Sequence, residues 1–460
     1  MKDLVIIGGG PGGYVAAIRA RQLGMTVTLL EKDKLGGTCL NRGCIPTKAY
    51  YRDAEIMRTF ARSSEFSIDI EGLHFSLEKA RERKGNIVHK LVSGIQKLLH
   101  DNSVEIVEGE AHLLDRNTVA INDSEIRAQN ILIATGSLPS DIPVEGCDQK
   151  GVINSDEILE LTEVPGRLAI IGGGVIGLEF ACIFNAFGSE VDVFEYMPGI
   201  LNGLDGELGK RLLLLLKKQK ISINTRTSVQ KIVKKDSCLH IQAEGKKGEI
   251  NCEADLVLIA GGRKAATNGL NLESLGIETD EKGFIVVDDN YESSCKGIYA
   301  IGDVIGGQML AHVASEEGIA AVEKMAGIKG EVHYNAVPAC IFTFPEIAAV
   351  GMSEDEAKQK GINYRTGKFQ FAANGKAMTL GESDGMVKVI ADQDDVILGV
   401  HIIGPHASDL ILEGTLMVKN RMKISQVLGT IHPHPTLGEA LMEAILDIKQ
   451  QAIHLSPRKK

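Results

Sequence analysis

The chain has no surplus of positive charge: 50 Lys and Arg stand against 61 Asp and Glu, a net charge of −11 over 460 residues. A surface that tracks nucleic-acid phosphates needs the opposite balance, so nucleic acid is not an expected partner. The one basic cluster, Pro457-Arg458-Lys459-Lys460, reads as a solvated terminus. No apolar run reaches the roughly 20 residues that span a bilayer. Met1-Lys2-Asp3 leads into only the short apolar run Leu4-Val-Ile-Ile7 before glycine, which is a strand and not a signal peptide. The expectation is a cytoplasmic chain with no membrane partner. A cysteine scaffold is missing too. Of eight cysteines, Cys147, Cys182, Cys238, Cys252, Cys295 and Cys340 are scattered singly, as small buried hydrophobes or bystanders would be. Only Cys39 and Cys44 form a close pair.

What the chain does have is an internal repeat. Leu4-Val-Ile-Ile-Gly-Gly-Gly-Pro-Gly-Gly13 and Leu168-Ala-Ile-Ile-Gly-Gly-Gly-Val-Ile-Gly177 are apolar strands running into G-x-G-x-x-G, at Gly8, Gly10, Gly13 and at Gly172, Gly174, Gly177. A helix pattern follows each, then a second strand ending in an acid, Glu31 or Glu195. From first glycine to acid the spacing is 23 residues in both copies. The first glycine permits the tight turn, the second lets backbone approach a pyrophosphate, and the third lets helix and strand pack closely. The pyrophosphate then meets the free N–H groups of the helix start, and the acid takes the ribose hydroxyls. One such motif is weak evidence; two in full strand–turn–helix–strand–acid context predict two dinucleotide sites.

A third strand also recurs, Ile131-Leu-Ile-Ala134 and Leu256-Val-Leu-Ile-Ala260. From acid to that alanine is 103 residues in the first copy and 65 in the second, and the cysteine pair lies in the 38-residue excess. An electron path needs a donor and an acceptor, so one dinucleotide is a flavin and the other a nicotinamide. The copy that owns the cysteines is assigned the flavin. In the other, the Glu195 carboxylate repels a 2′-phosphate and Tyr196-Met-Pro-Gly199 supplies no cation to hold one. NAD is therefore expected over NADP.

Gly43 frees the backbone before Cys44, and Pro46 suits the first turn of a helix. Cys44 then sits at a helix N-terminus, where the dipole favours a thiolate, with Lys48 one turn on. A metal reading of C-x4-C lacks a second ligand pair nearby, and inert thiols would leave the spacing without a use. A redox disulfide beside the flavin is the expectation. After about residue 335 no dinucleotide motif recurs. Strand-like Ala348-Ala-Val-Gly351 and Met386-Val-Lys-Val-Ile390 alternate with an apolar helix around Leu410–Val418, surface suited to a subunit interface. In His432-Pro-His434-Pro-Thr-Leu-Gly-Glu439, Thr436 and Glu439 have capping-box spacing. Glu439 could equally fix the tautomer of His434 and raise its basicity. Sequence physics alone leaves both open, and His432 is read as structural.

Gly36-Gly-Thr-Cys39-Leu-Asn-Arg-Gly-Cys44-Ile-Pro-Thr-Lys48 resembles the signature of the pyridine nucleotide–disulfide oxidoreductases, and the resemblance runs over essentially the whole chain. Glutathione and trypanothione reductases usually carry Val where Arg42 stands and Lys where Thr47 stands. Mercuric reductases usually add a C-terminal cysteine pair, and here no cysteine follows Cys340. The greater similarity is to members that oxidise a dihydrolipoyl group with NAD. The resemblance implies an α/β fold of two Rossmann-like dinucleotide-binding domains, arranged as in glutathione reductase, plus an α+β C-terminal dimerisation domain. The expected boundaries are 1–142 for FAD and the disulfide, 143–264 for NAD, 265–334 for a central segment completing the FAD site, and 335–460 for dimerisation.

It further implies that Cys39 attacks the substrate disulfide, that Cys44 stands against the flavin, and that Lys48 lies near flavin N5. Glu31, Ala111, Thr135, Gly136, Ser137, Asp303 and Ala311 would contact FAD, and Gly262 would contact NAD. The family commonly continues past Arg263 with Arg-Pro-Asn, where this chain has Lys264-Ala-Ala266. His434 and Glu439 would be the acid–base pair, reaching the cysteines of the other subunit of a homodimer. The chain carries no lipoyl arm, so the implied partner is a lipoylated carrier: the acyltransferase of a 2-oxo acid dehydrogenase complex or the glycine-cleavage carrier. Competing expectations are an NADH-dependent reductase of another small disulfide and a non-catalytic dinucleotide-binding redox sensor.

Overall fold

The computed structural model describes residues 1–246 and 248–456, so the basic run at 457–460 lies outside the described residues. Both glycine-rich turns join the elements their spacing predicts. Strand Lys2–Ile7 enters helix Pro11–Gln22, and strand Arg167–Ile171 enters helix Val175–Phe187. Leu4 to Ile7 are all buried, as a parallel strand covered on both faces requires. Strands Val27–Glu31 and Glu190–Glu195 pair parallel to these and end on the two acids. The copies share hydrogen bonds: Gly8 N to Leu30 O matches Gly172 N to Phe194 O, and Ala134 N to Ile7 O matches Ala260 N to Ile171 O, all 2.8 Å.

The repeat extends beyond the glycines and acids. Strands Glu105–Glu108 and Ser222–Thr225 add to the respective sheets. Each is followed by a three-stranded antiparallel meander: Ala111–Asp115, Thr118–Ile121 and Ser124–Ile133, then Ser228–Lys235, Cys238–Gly245 and Gly248–Ala254. The first sheet is completed by Ile298–Ala300 beside Ser124–Ile133. The second is completed by Leu256–Ile259 and Val152–Ile153.

Helices fill the excess of the first copy. Between Glu31 and the next sheet strand lie Gly37–Arg42, Cys44–Ala61 and Leu77–Asp101, where the second copy has Gly206–Lys218. Helix Cys44–Ala61 packs on Val175–Phe187, so Tyr50, Tyr51 and Ala54 share a core with Phe180, Phe184 and Phe187. Tyr51 also stacks on Phe344 of the C-terminal region at 4.6 Å. The cysteine-bearing helix is thereby wedged between the second nucleotide repeat and the C-terminal third.

That third is a five-stranded antiparallel sheet in the order Ala339–Ile341, Glu346–Gly351, Ile397–Gly404, Met386–Asp392, Tyr364–Gln370. Helix Glu439–Ile448 lies on its last two strands, close enough that a Cβ at Gly367 would stand 2.0 Å from Ala444 O. Helix Ala407–Lys419 packs on Glu346–Gly351 and Ile397–Gly404. Leu412 and Leu416, one turn apart on that helix, remain exposed. Among the described residues no helix is long and apolar enough to cross a membrane.

Candidate active site and nucleotide sites

The glycines of the two turns divide by what surrounds them. A Cβ at Gly8 (φ +105°) would sit 2.4 Å from Ala134 O, and one at Gly172 (φ +120°) 2.3 Å from Ala260 O. At Gly13 and Gly177 it would strike the carbonyls of Gly8 and Gly172 at 1.8 and 2.0 Å. The chain's own packing therefore demands first and third glycines. Nothing of the kind constrains the second: Gly10 has no neighbour nearer than 3.9 Å and Gly174 none within 4 Å. Both border open space at the N-termini of helices with no acid in the first turn and no side-chain cap. A pyrophosphate fits both positions.

The acids are pre-set. Glu31 accepts from Gly9 N at 2.7 Å and Asp33 N at 2.8 Å; Glu195 accepts from Gly173 N and Met197 N, both at 2.6 Å. A carboxylate offers about four lone-pair positions, so each keeps capacity for ribose hydroxyls. Thr135 Oγ1 is buried with no hydrogen-bond partner, which a bound group would supply. Beside it, Ser137 Oγ donates to Asp303 at 2.5 Å, while Arg263 donates to Ser137 Oγ and O, both at 2.7 Å. Ala111 opens the first meander, Gly136 has φ +73°, and Ala311 is the first residue of helix Ala311–Met325. Gly262 (φ +122°) precedes strand Arg263–Ala265, which pairs with Ser137–Pro139. There Lys264 forms an ion pair with Asp141 at 2.6 Å. The unusual Lys264-Ala-Ala266 thus joins two chain segments.

Gly36 (φ +89°) turns the chain into a short helix, Gly37–Arg42, that carries Cys39. The sequence alone assigns no element to this stretch. Gly43 breaks it, and Cys44 is the first residue of Cys44–Ala61, with no acid in the first turn. A side-chain hydrogen bond from Cys39 lowers the Cys44 thiol to about 7; the Lys48 cation assists, against burial and the Glu179 charge. The same hydrogen bond, with burial, pushes Cys39 up. When the pair gives up one proton, the charge therefore falls on Cys44 and the remaining proton stays on Cys39.

Lys48 Nζ contacts both Glu179 oxygens, at 2.8 and 3.0 Å, and lies 4.4 Å from the Phe342 ring centroid. Glu179 also accepts from Phe342 N at 3.0 Å. Sequence reasoning missed Glu179. Its signal was a lone charge in the apolar run Val175-Ile-Gly-Leu-Glu179-Phe-Ala-Cys-Ile, buried to 5% side-chain exposure; such a carboxylate requires a cation.

His434 Nδ1 stands 2.9 Å from Glu439 Oε1, and Thr436 N donates to Glu439 Oε2 at 2.9 Å. One carboxylate therefore serves both contacts. The capping box is only half formed, because Thr436 Oγ1 donates to Pro433 O at 2.7 Å and Gly438 is the N-cap of Glu439–Ile448. The His434 ring is 78% exposed, and no hydrogen bond or ion pair among the described residues joins it to either cysteine of its own chain. No group of His, Cys, Asp or Glu among the described residues could hold a metal ion.

Two dinucleotide sites flanking a dithiol, with a histidine–carboxylate pair facing outward, define a nucleotide-dependent dithiol–disulfide oxidoreductase. The chain belongs to the pyridine nucleotide-disulphide oxidoreductase family: residues 2–318 match that family and 337–445 its dimerisation domain. It is 44% identical to the dihydrolipoyl dehydrogenase of Bacillus subtilis (strain 168), over 98% of this chain and 99% of the relative. It is 40% identical to the mitochondrial dihydrolipoyl dehydrogenase 1 of Arabidopsis thaliana, over 99% and 92%. Among solved structures, LpdA from Mycobacterium tuberculosis superposes with a TM-score of 0.89 at 25% identity, covering 97% and 99% of the two chains. The HOCl-induced flavoprotein disulfide reductase RclA from Escherichia coli gives 0.86 at 28%, covering 96% and 99%. The expected fold class therefore stands, with its C-terminal dimerisation domain.

Proposed function

We propose that this chain is a dihydrolipoyl dehydrogenase: it oxidises protein-bound dihydrolipoamide to lipoamide and passes the electrons to NAD. The observation that carries the reading is the Cys39–Cys44 pair, set on helix Gly37–Arg42 and at the start of helix Cys44–Ala61, in a chain 40–44% identical over nearly its full length to dihydrolipoyl dehydrogenases. Residues 1–142 and 265–334 enclose FAD, 143–264 bind NAD, and 335–460 form the subunit contact, with the exposed Leu412–Leu416 stripe available for it. FAD supplies two-electron transfer between the reduced cysteines and NAD.

The chain's own residues handle sulfur and protons. His434, oriented by Glu439 at Nδ1, takes a proton from the substrate dithiol at Nε2. The thiolate attacks Cys39 of the Cys39–Cys44 disulfide; a Cys39–substrate bond forms as the Cys39–Cys44 bond breaks. Cys44 leaves as a thiolate, and a lower pKa makes it the better leaving group. The second substrate sulfur displaces Cys39, which recovers a proton. Because His434 is exposed and bonds to neither cysteine of its own chain among the described residues, it serves those of the partner subunit in a homodimer. The carrier of the lipoyl group is an acyltransferase of a 2-oxo acid dehydrogenase complex or the glycine-cleavage carrier.

A mixed dimer tests the shared site. Co-expressing Cys44→Ser and His434→Gln chains should restore about one quarter of wild-type dihydrolipoamide oxidation, when one pairing of complete halves forms by random association; no recovery would contradict it. Nicotinamide choice gives a second check. Glu195 leaves no cation for a 2′-phosphate, so kcat/KM should favour NAD over NADP by about 100-fold or more, roughly 2.7 kcal/mol; parity would remove Glu195 from the ribose site.

A further inference from the structure

His432 lies two residues before His434 and is its opposite in environment. Its side chain is 6% exposed against 78% for His434. Its Nε2 stands 3.0 Å from Glu413 Oε1, and its Nδ1 stands 3.1 Å from Thr430 O. Both neighbours are acceptors, so a ring protonated on both nitrogens satisfies both contacts and a neutral ring only one. Glu413 comes from the middle of helix Ala407–Lys419, which is seated on the C-terminal sheet.

The segment between helices Ile424–Val427 and Glu439–Ile448 has neither helix nor strand to hold it. Downstream of His434 it is tied by Glu439 to Thr436 N and by Asn374 Nδ2 to Thr436 O at 3.0 Å. Upstream, Ile431 is 93% exposed, and the side-chain tether is His432 on Glu413. The Glu439 contact orients the His434 ring about its own bonds. The second Glu439 oxygen holds the backbone at Thr436 N, on the downstream side of His434 only.

We propose that Glu413 and His432 are a positioning pair for the proposed acid–base group: they fasten the His434 backbone to helix Ala407–Lys419 so that its imidazole projects out of its own subunit at the height of the partner's cysteines. This rests on the reading of His434 as the acid–base group. The pair touches neither substrate nor cofactor, and a misplacement of about 1 Å at a proton-transfer group costs on the order of 10²-fold in rate.

The test compares His434→Gln, His432→Ala, Glu413→Ala and Glu413→Gln as FAD-loaded full-length dimers. Two assays are read: dihydrolipoamide-dependent NAD reduction, and NADH oxidation by ferricyanide, which bypasses dithiol exchange. His432→Ala and Glu413→Ala should lower kcat for dihydrolipoamide about 10- to 100-fold with KM changed less than about threefold, while ferricyanide reduction persists. Glu413→Gln, whose amide oxygen still accepts from Nε2, should recover most of kcat. Loss of both activities in parallel, or a Glu413→Gln as impaired as Glu413→Ala, would show a role in folding or charge and overturn the pair as a positioning device. Full activity in His432→Ala beside an inactive His434→Gln would also overturn it. Full activity in His434→Gln would instead remove the functional reading beneath it.

Discussion

Cys44→Ser should abolish dihydrolipoamide oxidation while the purified variant keeps its FAD absorbance. The serine hydroxyl is close in size to the thiol, and Cys44 borders open space in this chain, so nothing in the core is disturbed. Chemistry is lost entirely, because no disulfide can form with Cys39 and no thiolate can leave. NADH formation at 340 nm per bound flavin is the measurement, and retained turnover would end the proposed mechanism. The same pair predicts a pH signature. In the reduced wild-type protein Cys44 is held at about 7, below the ordinary thiol, while Cys39 is pushed above it. The thiolate is therefore present above pH 7 and lost as pH falls through it. The thiolate-to-flavin charge-transfer absorbance of the reduced, FAD-loaded protein should rise with a midpoint near 7. Cys39→Ala, which removes the hydrogen bond that contributes most, should move that midpoint upward. An unchanged midpoint would mean that Lys48 and the helix terminus alone hold the thiolate.

The nucleotide turns were legible because each is written in one short stretch. Gly13 is required by the Gly8 carbonyl within the same motif and Glu31 bonds to Gly9 inside the same unit; only the carbonyl that requires Gly8, Ala134 O, comes from a distant segment. The pairing of His434 with Glu439 was likewise readable at five residues' separation. Lys48 was legible only as a cation near Cys44. Its partner Glu179 is 131 residues away, and the N–H that shares that carboxylate belongs to Phe342. No local pattern links three segments that meet only when helix Cys44–Ala61 wedges between two domains. The meanders were missed for a related reason: their short strands carry mixed polarity, and the structural repeat shows only once both copies are folded. Lys388 was not singled out at all. In Met386-Val-Lys-Val-Ile390 an alternating strand would put the lysine with its face toward solvent, yet every one of these residues is buried.

The largest expected loss of stability follows from that lysine. Lys388 Nζ bonds Asp205 at 2.9 and 3.0 Å, Glu207 at 3.0 Å and Glu354 at 2.6 Å, and its side chain is 1% exposed. Asp205, also 1% exposed, accepts from Glu207 N and Glu354 N, capping helix Gly206–Lys218 of the second nucleotide repeat. One ammonium thus ties the NAD-side helix to the C-terminal sheet. Lys388→Met keeps most of the side-chain volume and removes the charge, leaving the Asp205 carboxylate buried without its cation. Breaking one partner of a buried pair costs about 3–5 kcal/mol, which should appear as a lower urea midpoint. Adding Asp205→Asn should recover part of the loss, since the orphaned charge is the main penalty. The pH dependence has a definite sign. Burial pushes Asp205, Glu207 and Glu354 up, but contacts with donors outweigh it: Lys388 at Asp205, Lys368 and then Lys388 at Glu207, and Lys388 with Lys358 and Tyr364 at Glu354, so all three lie below the usual range, Glu354 at about 2. Groups depressed in the folded state contribute stability above their unfolded pKa, about 4, and lose it as pH falls through the folded value. Wild-type stability should therefore fall steeply between about pH 4 and 2, and Lys388→Met should show a shallower acid slope. Equal slopes would mean that the cluster titrates independently of Lys388 and that its cohesion comes from the packing of the helix on the sheet.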